Sequence, residues 1–402
     1  MNAILTGRQA SPVPVTRAGA LRHVNQLDAL RAFAVGSVMV AHYFPEFNRF
    51  GEWGAMGVNL FFVISGFLIT EILLKCKKEV ENGQSIRLTL RQFYARRFLR
   101  IFPLYYLVIS LSFLFNFSDV RHERWWYLTY TVNYYGLVTG KWMGLPHFWT
   151  LALEEQFYLL WPLLILLVPR RCLFLVPVVA ILIAPATRAL ILARDANPFW
   201  WMTTPVCLDT LGFGALLAVC HEMRFHALGT LLSTAGLWVG LPLLIVLKVI
   251  TGLNVPHYRF GIVIFNIAIG LFSLWLVNGA VEGFRGLMGT ILEWRPLRFL
   301  GEISYGLYVY HLPVIMIVSS SWLASELIST PLQKAIVWTL LTILVGTLSW
   351  YLFERPINRC KRFFPYRLKR DSPDRPELEL IVVDGGSPEN TSKMVGRYRI
   401  GK

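Results

Sequence analysis

Long apolar runs dictate what this chain can fold into. They cover residues 101–117, 159–168, 174–183, 231–247 and 262–277. A bilayer core about 30 Å thick is crossed by a helix of about 20 mainly apolar residues, and several of these runs reach that length with their flanks. Water is absent at that depth, so each crossing must satisfy its own backbone groups as a helix. Composition agrees: 55% of the 402 residues are hydrophobic and only 16% are charged, against about 25% charged in an ordinary soluble domain. The expected fold class is therefore an all-α polytopic integral membrane protein. It is a bundle of about ten helices, near 28–47, 56–74, 101–117, 148–168, 172–192, 205–221, 228–250, 260–280, 303–322 and 332–353.

Charge orients this bundle. The net charge is +15 and the pI about 9.8. In a soluble protein such a balance would point to nucleic acid. In a polytopic one it reflects the collection of Lys and Arg in cytoplasmic loops, so no nucleic-acid partner is expected and the lipid bilayer is the partner. The loop 75–100 carries Lys75, Lys77, Lys78, Arg87, Arg91, Arg96, Arg97 and Arg100. With that loop inside, parity places both termini in the cytoplasm, along with most of the 39 Lys and Arg. Residues 1–26 read as a cytoplasmic arm without the apolar core of a signal peptide. Residues 27–359 form the membrane domain, and 360–402 a basic cytoplasmic tail. Cys76, Cys172, Cys207, Cys220 and Cys360 are scattered, with no C-x-x-C, so neither a disulfide framework nor a metal site follows.

An ionisable group inside a membrane helix costs about 2.5–3.5 kcal/mol on insertion scales, which makes it a functional candidate. Three clusters qualify. Arg31 and His42 are eleven residues apart. At about 100° per residue they share one helix stripe, about three turns apart in depth. Histidine suits a general base, because its unperturbed pKa of about 6.5 lies near working pH. Asp28, three residues before Arg31, is placed to orient it. The alternative is a snorkelling arginine and a helix-end histidine. Arg97 and Arg100 share a face where the third helix is expected to begin, and guanidinium forks suit phosphates. Ordinary positive-inside charge would look the same. Glu154 and Glu155 enter the fourth helix about 100° apart, so they should meet different partners. One could pair with Arg31 or orient the His42 imidazole; the alternative is an acidic helix start. Asn59, Ser65 and the glycines around them also fit simple helix packing. Arg188 reads as a snorkelling residue near a helix end.

These residues lie in six segments whose order carries a resemblance. The segments are LDALRAFAVGSVMVAH with Arg31 and His42, GVNLFFVISGFLIT, RRFLRIFPLYY with Arg97 and Arg100, FWTLALEEQFYLLWP, ISYGLYVYHLPV and FERPINR. Together, from about Asn25 to Arg359, the chain resembles the membrane-bound acyltransferase family 3. Two positions depart from its pattern: Asn59 stands where Asp is usual, and Thr150 where Ser is usual. Thr keeps the hydroxyl, whereas Asn loses a charge.

The resemblance implies an enzyme, an acyl-CoA-dependent O-acyltransferase of the bacterial cytoplasmic (inner) membrane. It acts on a hydroxyl of a surface or exported glycan, with acetyl-CoA the expected donor. His42 would be the catalytic base, with Arg31, Glu154 and Glu155 in supporting catalytic roles. Arg97 and Arg100 would hold the donor phosphates. Asn59, Ser65, Thr150, Gln156, Tyr158, Tyr305 and His311 would line the substrate sites. No permanently bound cofactor and no metal are implied. The rival readings are a transporter or flippase of lipid-linked glycans, and a non-catalytic membrane scaffold. A stretch around 379–391 looks like the first strand and turn of a nucleotide-sugar glycosyltransferase, but too little chain follows to complete that fold.

Overall fold

A computed structural model describes residues 24–117, 119–193, 198–251, 261–320 and 330–366. The N-terminal arm before Val24, the tail beyond Tyr366 and the glycosyltransferase-like stretch 379–391 lie outside the described residues. Among the described residues all regular structure is helical. In chain order the helices are α1 (Asn25–Tyr43), α2 (Trp53–Glu81), α3 (Ile86–Leu114), α4 (Val120–Leu128), α5 (Tyr135–Thr139), α6 (Phe148–Leu167), α7 (Leu175–Leu192) and α8 (Leu208–Glu222). They continue as α9 (His226–Ala235), α10 (Leu241–Thr251), α11 (Gly261–Glu282), α12 (Gly286–Leu292), α13 (Arg295–Glu302), α14 (Ser304–Ser320), α15 (Pro331–Ser349) and α16 (Arg355–Arg359).

Eight helical segments are long and apolar enough to cross a membrane, and nine if α13 and α14, bent by 72° at their junction, count as one. The ten expected segments each have a helical counterpart. α1 does not pass the same test, because Asn25, Gln26, Asp28, Arg31 and His42 dilute its apolar residues.

Contacts between helices fix their directions. Gly54 meets Ala41 and Gly57 meets Ala34, so α2 runs against α1. Ser65 bonds Glu154, Thr70 bonds Trp161 and Lys77 bonds Leu166, so α6 runs with α2. Tyr94 reaches Leu159 while Tyr105 meets Phe148, so α3 opposes α6. α7 opposes α8 through Arg188–Asp209 and Ile181–Gly212. α8 and α11 run together through Phe213–Gly270 and His221–Asn278. Gly301 lies on Asp28 and His311 near Tyr43, so the α13–α14 segment follows α1. The directions alternate throughout, and the start of α1 and the chain after α15 finish on one face. There Arg96 donates to the carbonyls of Lys361 and Phe364, at 2.9 and 3.2 Å.

Glycines make the central packing possible. A Cβ on Gly66 would overlap the Leu211 carbonyl, and one on Gly214 the Val63 carbonyl, so α2 and α8 approach backbone to backbone. The outward faces keep large apolar side chains exposed, among them Leu163, Leu164, Leu182, Leu231, Ile245, Val249, Leu340 and Leu344. Water would penalise so many exposed apolar groups, whereas lipid would not.

Two expectations need correction. The third helix begins at Ile86, not near residue 101. Arg97 and Arg100 therefore sit about three turns inside it. No breaker separates Ser85 from Pro103, and the polar first half stays helical because it packs between α6 and the segment after α15. Arg188 does not snorkel. It is 2% exposed and grips Asp209 with two hydrogen bonds of 2.6 and 2.9 Å, with a third to the Val206 carbonyl. Burial leaves a guanidinium no alternative to a paired carboxylate.

Candidate functional site

Midway along α2, α3 and α6, a cleft opens between these helices, α1 and α14. Its lining draws on all three clusters of intramembrane charge, though not on His42: Arg31 comes from α1, Arg97 and Arg100 from α3, and Glu154 and Glu155 from α6. Ser65, Thr150, Tyr158, Tyr305 and Tyr308 add hydroxyl groups, and Val58, Phe61, Phe62, Ile101 and Leu151 supply apolar wall.

The charges are held with different degrees of commitment. Arg31 Nη1 lies 3.7 Å from Asp28 Oδ1, one turn back on α1. Arg100 Nη2 approaches the Glu302 carbonyl at 3.4 Å, and its guanidinium carbon stands 5.5 Å from the Trp350 ring centre. Glu154 accepts a 2.7 Å hydrogen bond from Ser65 Oγ, which itself accepts one from the Tyr158 hydroxyl at 3.1 Å. By contrast, Arg97 Nε and Glu155 Oε1 are buried without a hydrogen-bond partner among the described residues. Buried polar atoms are almost always satisfied, so two such orphans in one cleft make it the candidate site. Tyr305 is anchored to the Ile101 carbonyl at 2.7 Å.

Glu154 and Glu155 both line the same cleft, but only Glu154 is bonded to Ser65. Neither orients His42. The His42 ring is fixed within its own helix, where Nδ1 lies 2.9 Å from the Val38 carbonyl. A carbonyl only accepts, so Nδ1 carries the proton and Nε2 keeps a free lone pair. That is the tautomer a general base requires.

His42 is outside the cleft lining. It stands at the far end of α1 from Arg31, exposed, with its ring centre 5.1 Å from that of His311. His311 is fully buried and lies 5.4 Å from the Tyr308 ring, whose hydroxyl closes the cleft beside Thr150, 2.7 Å away. The cleft and His42 are thus separated by one layer of side chains.

Two expected residues serve local structure. Asn59 donates to the Ala55 carbonyl at 2.8 Å inside α2. Gln156 donates to the Tyr130 carbonyl at 2.7 Å and to Asn133 Oδ1 at 2.9 Å, and it accepts from Thr204, tying α6 to the segment between α4 and α5 and to the turn before α8. Sequence reasoning missed His147 and gave Tyr308 no role. His147 packs 4.8 Å from His311, ring centre to ring centre. Its position just before the FWTLALEE segment was visible, but nothing in spacing links it to residue 311.

Comparison with known proteins agrees with this architecture. The profile of a family described as "Acyltransferase domain", acyltransferase family 3, matches residues 24–355. A putative peptidoglycan O-acetyltransferase, YrhL, of Bacillus subtilis (strain 168) is 28% identical over 397 residues, covering 87% of this chain and 58% of YrhL. The peptidoglycan O-acetyltransferase OatA of Listeria monocytogenes is 28% identical over 365 residues, covering 84% of this chain and 56% of that protein. The O-acetyltransferase OatA of Staphylococcus aureus is 28% identical over 366 residues, with 84% and 58% covered. This chain therefore spans a little over half the length of these relatives. No solved structure matches. A helical bundle with lipid-type outer faces, a charged internal cleft and a family profile over most of its length lead to one assignment: the chain belongs to acyltransferase family 3, as a protein with several helices long and apolar enough to cross a membrane.

Proposed function

We propose that this protein transfers an acetyl group from acetyl-CoA, taken up on the cytoplasmic side, to a hydroxyl of a surface or exported glycan. The bundle would sit in the bacterial cytoplasmic membrane as ten spans, α1 included, with both termini inside. The observation that carries this reading is the convergence of Arg31, Arg97 and Arg100 on one internal cleft. Guanidinium groups bind phosphates bidentately, and a low-dielectric site strengthens that attraction. A donor with several phosphates fits three such groups better than a neutral glycan does. His42, exposed at the other end of α1, would take the proton from the acceptor hydroxyl through Nε2, and the resulting alkoxide character drives attack on the thioester carbonyl. Glu154 and Glu155 would balance the cationic cleft and position the donor. The similarity to proteins named peptidoglycan O-acetyltransferases supports a cell-wall or related glycan as the acceptor class.

The test is reconstitution. Purified protein in liposomes is supplied with radiolabelled acetyl-CoA and a panel of glycans, and label is followed into base-labile ester on the glycan. The expected result is acceptor-dependent release of free CoA, lost in His42→Ala. Glycan flux with no CoA release would overturn the reading in favour of a transporter.

A further inference from the structure

Beyond the cleft, the end of the described chain adds one more cation to the arginines of α3. α16 runs directly into a further helical turn at Cys360–Phe363, so Asn358 and Lys361, three residues apart, share one face. This segment packs on α3. Arg96 fixes it there. Its Nη1 donates to the carbonyls of Lys361 and Phe364, and its guanidinium carbon lies 4.7 Å from the centre of the Tyr366 ring. The Tyr366 hydroxyl stands beside Arg97.

Two side chains in this corner lack what a buried polar group ordinarily has. Lys361 forms no ion pair among the described residues. The four charges that act on it most strongly are all positive: Arg100, Arg97, Arg96 and Arg31. Like charges repel more strongly away from bulk water, so an anion is needed to bring these groups into balance. Glu354, four residues before Asn358, answers Arg100 and Ser349 instead. Asn358 is the second case. Its Nδ2 and Oδ1 are both buried without a hydrogen-bond partner among the described residues. A buried amide with an unmet donor and an unmet acceptor is costly, and it suits a ligand edge that offers one of each. Arg97 and Arg100 line the cleft and also act on Lys361, so the corner continues the cleft toward the face where α1 begins and the chain leaves α15.

We propose that this corner binds the nucleotide end of the donor, with Lys361 on the ribose 3′-phosphate and Asn358 on the adenine edge. This rests on the acyl-transfer reading above. With the thioester in the cleft and the diphosphate at Arg97 and Arg100, the third phosphate of coenzyme A lies past them, on the far side of the ribose. Lys361 is the cation in that direction. Adenine presents a ring-nitrogen acceptor beside an amino donor, the pair that an asparagine amide meets with two hydrogen bonds. A phospholipid headgroup would bring the same phosphate chemistry but no base for Asn358. Arg96 and Tyr366 are positioning residues that hold the segment against α3. The protein therefore recognises its donor by the 3′-phosphate as well as by the diphosphate.

Binding tests this without turnover. Full-length protein in phosphatidylcholine liposomes is titrated calorimetrically with adenosine 3′,5′-bisphosphate and with AMP. Wild type should bind the bisphosphate about tenfold to a hundredfold more tightly, the size of one charge-assisted hydrogen bond. Lys361→Gln should bring that ratio close to one, with AMP binding as the check on its fold, and Lys361→Arg should keep most of the preference. Asn358→Ala should weaken both nucleotides alike. Equal affinities in wild type, or a preference that survives in Lys361→Gln, would overturn the proposal. So would a Lys361→Gln defect that appears only with phosphatidylglycerol in the liposomes, which would assign Lys361 to lipid headgroups. In the transfer assay the same preference should appear as a lower KM for acetyl-CoA than for acetyl-dephospho-CoA, with equal kcat. If wild type distinguishes the two nucleotides but releases no CoA, the acyl-transfer reading falls and the nucleotide site stands. If it turns over without distinguishing the two donors, only the nucleotide site falls.

Discussion

His42 and the arginines of the cleft give the sharpest single-residue expectations. His42→Ala should lower kcat at least about 100-fold while the protein still elutes as a folded species, since the side chain is exposed at the end of α1. Arg97→Ala and Arg100→Ala should instead raise the acetyl-CoA KM. Losing one charge-assisted hydrogen bond to phosphate is worth about 1.5–3 kcal/mol, or about tenfold to a hundredfold in affinity. Initial-rate kinetics separate the two classes, and a kcat defect in the arginine variants with normal KM would speak against a donor-phosphate role. Much of this was legible in the residues themselves. Arg31, Arg97, Glu154 and their neighbours stood out because a charge in an apolar helix is costly wherever that helix finally sits. Their gathering into one cleft was not legible, because α1, α3 and α6 are separated by dozens of residues and spacing says nothing across such gaps.

At the level of helices, stability rests on close approach and on one buried pair. Gly66→Leu or Gly214→Leu would drive a side chain into the facing carbonyl, so α2 and α8 would have to separate. Such variants should lose the monodisperse elution peak in mild detergent, whereas Gly36→Leu, which has open space around its Cβ position, should keep it. Arg188→Ala would leave Asp209, which is fully buried, without its counter-charge. Removing one partner of such a pair costs about 3–5 kcal/mol, so a large drop in Tm by a thiol-reactive or tryptophan fluorescence assay is expected. The sequence suggested a snorkelling role for Arg188, since the position near a helix end gives no hint of a partner 21 residues on. The early start of α3 was hidden for a related reason. An apolar run marks only the stretch that faces lipid, while a helix continues for as long as its backbone remains bonded and nothing breaks it.

For the whole molecule, topology and pH response follow. If the proposed orientation holds, a single cysteine introduced in a cysteine-free background at Arg171, on the basic face, should resist a membrane-impermeant thiol reagent in intact cells, while one at Lys141 should react. The reverse pattern would invert the bundle. The segment between α3 and α6 should respond to pH through Glu123. Burial, the largest cause, raises its carboxyl above the usual value, although the Gly144 N–H at 2.8 Å and the Tyr127 hydroxyl at 3.1 Å partly oppose this. A raised carboxyl favours the protonated folded form. That contribution is fully present below the unfolded value of about 4.3 and is lost as pH rises through the raised folded value. Protease sensitivity of this segment should therefore increase across that window in wild type and stay flat in Glu123→Gln. By itself the sequence determined that the chain is a helical membrane bundle, which residues carry its unusual charges and which family they resemble, because apolar length and the cost of intramembrane charge are local properties. Only the tertiary structure decided that those charges share one cleft, that Arg188 is locked to Asp209, and that three histidines from distant segments meet beside Tyr308. Those outcomes depend on which helix faces pack together, and that is set by close backbone approach at glycines and by burial across the whole bundle.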